Sequence, residues 1–263
     1  MSDPLIQTTL LGIIEGITEF LPVSSTGHLL IAEKLGLGAR SDMFNVVIQA
    51  GAILAVTVIY WKRLWQLLVG LKQRENREYA CKLALAFLIT GALGFLLVSK
   101  FNFKLPEDMT IIAWALIIGG VWILGAEWLA AKRPDHEKVT WLGAVIVGLA
   151  QIVAAIFPGT SRSGATIFSA MLIGGTSRVA ATEFAFLVGI PTMYAASASE
   201  LHKAMKAGVS ADDWTQLIVG FLVSAIVAFT VVKWLLRYIQ THRFTVFAWY
   251  RIVVGALLLV FIK

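Results

Sequence analysis

Charge is scarce in this chain of 263 residues: Asp, Glu, Lys and Arg together make up 14% of it, against 58% hydrophobic residues. Soluble domains carry roughly a quarter charged residues, so an ordinary water-soluble domain is excluded. Cysteine is nearly missing too. The single Cys81 cannot form an intramolecular disulfide, and no Cys/His spacing suits a zinc site, which excludes soft-metal chemistry. There is no low-complexity tail and no long polar linker, so one integral domain over 1–263 is expected. The first apolar run has no basic leader and no small-residue cleavage site, and it reads as mature protein. What is abundant is apolar sequence, with a mean hydropathy of +0.80, the mark of an all-α protein that crosses a membrane several times.

Six segments are long enough to span: 42–61, 80–99, 109–130, 178–199, 214–236 and 245–262. Two more, 5–35 and 139–175, are apolar but broken near the middle by Pro22 or Pro158 and a polar cluster. Each reads as a re-entrant helical hairpin, because irregular backbone at membrane depth is tolerated only where protein shields it or a cavity hydrates it. The hairpins resemble each other. At an offset of 136, Gly12 falls on Gly148, Glu15 on Gln151, Pro22 on Pro158, Ser24 on Thr160 and Ser25 on Ser161. The same offset carries three spans of the first half onto three of the second. The expectation is an inverted repeat, 1–133 and 137–263, each half one hairpin plus three spans.

Basic residues set the sidedness. Lys62, Arg63, Lys72, Arg74, Arg77, Lys82, Lys132, Arg133, Lys138, Lys233, Arg237 and Arg243 fall in connections on one side. Lys34, Arg40, Lys100, Lys104, Lys203, Lys206 and Lys263 fall on the other. The richer side is expected to be cytoplasmic, with the first hairpin opening outward and the second entering from the cytoplasm. Much of the net +6 charge is then topological, and nucleic acid is not implied. Trp61, Trp65, Trp128, Trp141 and Trp214 near span ends read as interfacial anchors.

Chemistry concentrates in the hairpins. GIIEGITEFLPVSSTGH (12–28) puts Glu15 and Glu19 on one helix face, four residues apart, and follows them with Ser24, Ser25, Thr26, Gly27 and His28. Acids at membrane depth are costly, and two beside a histidine favour function over a buried structural pair. The second hairpin carries PGTSRSGAT (158–166). The fixed, planar guanidinium of Arg162 suits phosphate oxygens, and Gly159, Ser161, Ser163 and Thr166 can add donors, so the run reads as a phosphate cradle rather than as a counter-ion for a glutamate. It is not a Walker loop. Ser24, Thr26 and Ser163 could bind phosphate, but small hydroxyls at hairpin tips more often satisfy loose backbone groups. Glu183 and Arg251, inside spans, are explained by pairing or snorkelling.

EGITEFLPVSSTGH and PGTSRSGAT resemble the acidic and arginine signatures of the bacterial undecaprenyl-diphosphate phosphatases of the bacitracin-resistance type, and length and span count agree across nearly the whole chain. The resemblance implies hydrolysis of the C55 isoprenoid diphosphate to undecaprenyl phosphate and inorganic phosphate, at the outer face of the inner membrane, recycling the cell-wall lipid carrier. It implies resistance to bacitracin, which sequesters that lipid. Functional positions carried over are Glu15, Glu19, Ser25, His28, Ser161, Arg162 and Thr166. On this reading Glu15 and Glu19 hold Mg²⁺ or Ca²⁺ and Arg162 grips phosphate. Ser25 attacks with His28 as base, or His28 itself attacks. The alternative is an inverted-repeat transporter or flippase for a lipid phosphate or anion. No feature sets the oligomeric state.

Overall fold

The computed structural model describes residues 3–101, 108–133, 135–207 and 211–261, and all regular elements among them are helices. Lys104 and Lys263, used above for sidedness, lie outside those residues. In chain order the helices are α1 (Pro4–Thr18), α2 (Ser25–Ala32), α3 (Asp42–Ile59), α4 (Trp61–Val69), α5 (Arg74–Phe101), α6 (Met109–Ala130), α7 (Trp141–Ile156), α8 (Arg162–Leu172), α9 (Arg178–Ala207), α10 (Ala211–Thr241) and α11 (Thr245–Phe261). A single π-helical turn, Glu33–Leu37, extends α2. Short polar side chains start several helices by accepting the unused N–H groups of the first turn: Asp3 from Leu5, Ser41 from Phe44, Asp108 from Thr110 and Thr140 from Gly143.

The two broken segments form as expected. α1 ends four residues before Pro22 and α2 packs back on it; α7 ends two residues before Pro158 and α8 packs back on it. The spans differ from expectation at one place. α5, α6, α9 and α10 are each long and apolar enough to cross alone, whereas α3, which fills the expected segment 42–61, is followed by α4 at a 67° bend. Its cause is local, since apolar sequence stops at Tyr60, whose backbone leaves helical geometry (φ −94°, ψ 12°), and Trp61-Lys62-Arg63 follows. The expected sixth span, 245–262, forms the apolar helix α11, described as far as Phe261. The described residues thus hold four single spans, or five with the bent pair.

Corresponding helices recur in order, α1/α7, α2/α8, α3/α9, α5/α10 and α6/α11, and the halves exchange partners. α1 packs on α10 while α7 packs on α5, and α3 meets α9. The crossings match in detail. A Cβ on Gly12 would stand 2.9 Å from the Gly220 carbonyl oxygen, and one on Gly148 would stand 2.9 Å from that of Ala86, so glycine permits the same close approach twice. The tip of the first hairpin sits in the middle of the main core, where Phe20 meets Phe186 edge-on at 5.0 Å between ring centroids.

Candidate active site

The register at the tips corrects the sequence alignment by one residue. Ser24 caps α2 by accepting from the Gly27 N–H (3.3 Å), and Ser161 caps α8 by accepting from the Gly164 N–H (3.2 Å). They are the only non-glycine residues with positive φ among those described, at 76° and 72°. Ser24 therefore matches Ser161, not Thr160, and Ser25 matches Arg162. Between Gly148 and its tip the second half has one residue more than the first has after Gly12, which sequence identity across such short tips could not reveal. Holding serine in this region costs on the order of 1–3 kcal/mol, and such strain concentrates at functional sites. Both caps leave the first N–H groups of a short helix directed out of the tip, an arrangement that favours anions.

The two first residues of those helices converge on one carboxylate. Glu19, at the C-terminus of α1, accepts from Ser25 Oγ through Oε2 at 2.5 Å and from Arg162 Nη2 through Oε1 at 2.9 Å. All three are largely withdrawn from solvent. Arg162 reaches Glu19 across the glycine face of α9, where a Cβ on Gly189 would lie 2.2 Å from Nη1. One turn before Glu19, Glu15 is fully buried and neither carboxyl oxygen has a hydrogen-bond partner. In the other half the matching Gln151 donates to Thr90 Oγ1 (2.8 Å). Counted from the two glycine crossings, Ser224 on α10 stands where Thr90 stands on α5, and the Ser224 hydroxyl is unpartnered as well.

His28 does not face Ser25. Its Nδ1 lies 2.7 Å from the Ser24 carbonyl, and its Nε2 lies 2.7 Å from the Tyr250 hydroxyl, with the two rings stacked. A carbonyl only accepts, so Nδ1 carries the proton, and in the neutral ring Nε2 accepts from Tyr250. The expectation of His28 as the base on Ser25 is thus not what the contacts show; Glu19 holds that hydroxyl. The remaining hydroxyls mostly brace the tips. Ser161 Oγ meets Ser163 Oγ at 3.0 Å, Ser163 donates to the Leu21 carbonyl (3.1 Å), and Thr166 donates back to the Arg162 and Ser163 carbonyls. Thr26 is half-buried on the first turn of α2. Gly159, at φ 92°, turns the second tip.

Arg251 is the residue sequence reading missed. It is 1% exposed and neither snorkels nor pairs with an acid. Its guanidinium donates to the carbonyls of Pro22 (3.1 Å) in the first tip, Gly159 (2.9 Å) and Thr160 (3.0 Å) in the second, and Ala115 (2.9 Å) and Leu116 (3.3 Å) on α6. The signal was an arginine in the middle of the apolar α11, where a charge needs internal partners. Glu183 pairs as expected, with Arg63 (3.1 Å) and Tyr79 (3.3 Å). It lines a polar cavity of about 430 Å³. Lys82 pairs there with Glu78 and Lys138 with Glu75, and none of the residues expected to carry chemistry lines it.

Residues 8–257 match the family described as bacitracin resistance protein BacA. The chain belongs to the BacA family. A protein of Rhizobium etli named undecaprenyl-diphosphatase is 66% identical over 255 residues, covering 97% of this chain and 96% of that one. One of Xanthomonas oryzae pv. oryzae with the same name is 57% identical over 263 residues, covering 100% and 98%. The BacA match takes in both tips and Arg251, and with the apolar helices it makes this a multi-pass membrane protein. Among the described residues no three of His, Cys, Asp and Glu cluster. A divalent ion at the tips of this BacA member would have Glu15 and Glu19 as its carboxylates. The orphaned, buried Glu15 carboxyl suits a hard divalent ion that completes its shell with substrate oxygens.

Proposed function

We propose that this chain is an undecaprenyl-diphosphatase, and the observation that carries the reading is the single carboxylate of Glu19 shared by Ser25 and Arg162. A hydroxyl on a carboxylate and a guanidinium in the same buried contact assemble a nucleophile, its proton acceptor and a phosphate ligand. The diphosphate head enters where the N-termini of α2 and α8 meet. Arg162 turns its planar fork to the terminal phosphate and releases Glu19 Oε1, while Oε2 keeps Ser25. Ser25 Oγ bonds to the terminal phosphorus, the bridging P–O bond breaks, undecaprenyl phosphate leaves, and the serine proton passes to Glu19 Oε2. Water then adds to the phosphoserine phosphorus and both its hydrogens leave with the released phosphate, while Ser25 Oγ departs, recovering its proton from Glu19. The leaving group is itself a phosphate ester, so it departs as a stabilised anion. His28 is assigned no proton transfer at Ser25; it holds Tyr250 at the rim. Arg251 keeps the two tips together.

Glu15 and Glu19 would hold Mg²⁺ or Ca²⁺ together with diphosphate oxygens, which would neutralise charge on the head group. The location proposed is the bacterial inner membrane, with Lys62, Arg63, Lys72 and Arg74 cytoplasmic, the two halves inserted in opposite sense and the site open to the outer face. Bacitracin, by sequestering the diphosphate lipid, would deprive the site of substrate. No observation favours the transporter alternative. Purified protein incubated with undecaprenyl diphosphate should release inorganic phosphate, and Ser25→Ala should stop it; full release by Ser25→Ala would remove the serine from the mechanism.

A further inference from the structure

Beside the second tip lies an apolar cavity of about 570 Å³ between α6, α7 and α8. Ile118, Trp122, Val153, Phe157, Phe168 and Ser169 form much of its wall. Along α6 it runs from Thr110 to Trp122, roughly 18 Å at about 1.5 Å per residue. Its polar end is the tip itself, because Thr160, Gly164 and Arg251 line it too. α8 therefore serves two faces. Arg162 opens the helix at the Glu19 site, while Gly164 and Ala165 and, one turn on, Phe168 and Ser169 line the cavity.

From this continuity we infer that the groove between α6, α7 and α8 takes the head-proximal isoprene units of the lipid substrate. The inference rests on the phosphatase reading above. A substrate with an anionic head at Arg162 and an apolar tail must carry that tail away from the tip, and this groove begins at Thr160 and Gly164, two residues to either side of Arg162 in the chain. Bilayer chains are as apolar as the groove, so occupancy adds little hydrophobic free energy. Its effect is orientation: a tail held along α8 fixes which phosphorus faces Ser25.

The test fills the groove away from the head-group site. Ser169 lies seven residues past Arg162, about 10 Å along the axis. Ser169→Phe and Ile118→Trp are compared with wild type and with Leu88→Trp, a lipid-facing control on α5 outside the groove. With undecaprenyl diphosphate, kcat/KM should fall about tenfold or more in both groove variants and stay within about twofold in the control. With a C5 prenyl diphosphate, whose single isoprene unit is too short to reach Ser169, every variant should stay within about twofold of wild type. Equal loss on both substrates, or no loss on the long one, would overturn the assignment and leave the groove to bilayer lipid. A long-chain prenyl diphosphate with a diazirine in its second isoprene unit should label α6, α7 or α8 of the wild type, and labelling confined to other helices would also overturn it. Labelling in the groove without phosphate release from either substrate would sink the phosphatase reading and leave the groove standing.

Discussion

Arg251→Lys perturbs the point where both tips and α6 are tied together. The arginine donates to five carbonyls. Lysine keeps the charge but has three donors on one nitrogen, so at least two of those buried carbonyls lose their partner. Each orphaned group costs about 1–3 kcal/mol, which puts the loss at roughly 2–6 kcal/mol. That is a large part of the 5–15 kcal/mol or so typical of a whole domain. Because the abandoned carbonyls belong to tips that must meet, the loss should fall on the site as well as on the fold. In detergent, thermal unfolding should shift down by several degrees. At a temperature where the variant is still folded, kcat for phosphate release should drop about tenfold or more. An Arg251→Lys protein with wild-type melting and wild-type kcat would refute the idea that this cation holds the tips.

Glu19→Gln should nearly abolish turnover, because it removes the proton acceptor of Ser25 and the partner of Arg162. Glu15→Gln should be milder and should raise the melting temperature, since an amide at Gln151 already satisfies Thr90 in the other half; equal, full loss of activity in both would contradict this ranking. Tyr250→Phe removes a hydroxyl at a half-exposed ring and should lower kcat severalfold without changing the melting temperature, and should do nothing further in a His28→Ala background; an additive loss in the double variant would show that the two act separately. In a Cys81→Ala background, Cys at position 34 should react with an impermeant thiol reagent in intact cells and Cys at position 72 should not. The reverse pattern would turn the protein over in the membrane.

The helices and hairpin breaks were legible because proline and polar clusters interrupt otherwise apolar runs, a signal that needs no tertiary information. Glu15, Glu19 and Arg162 stood out for the same reason: charges at membrane depth are rare. What could not be read were properties of contacts between distant segments. Arg251 is separated from Pro22 by 229 positions and Tyr250 from His28 by 222, and nothing local tells a staple from a snorkelling arginine. The pairing of Ser25 with Glu19 rather than His28 depends on the left-handed turn at Ser24, which serine rarely adopts and local propensity does not announce. The bend after Tyr60 was foreshadowed by Lys62 and Arg63, which follow it directly.

The central claim is that the two tips form one phosphatase site, with Arg162 acting on the phosphate rather than only balancing Glu19. The direct measurement is kcat for phosphate release from undecaprenyl diphosphate by purified wild type and Arg162→Lys. Lysine preserves a cation for Glu19 but not the planar fork, so if the guanidinium stabilises the transferring phosphoryl group, kcat should fall roughly a hundredfold, about 3 kcal/mol, with KM much less affected. A near-normal kcat in Arg162→Lys would make the arginine a counter-ion for Glu19 and contradict the account.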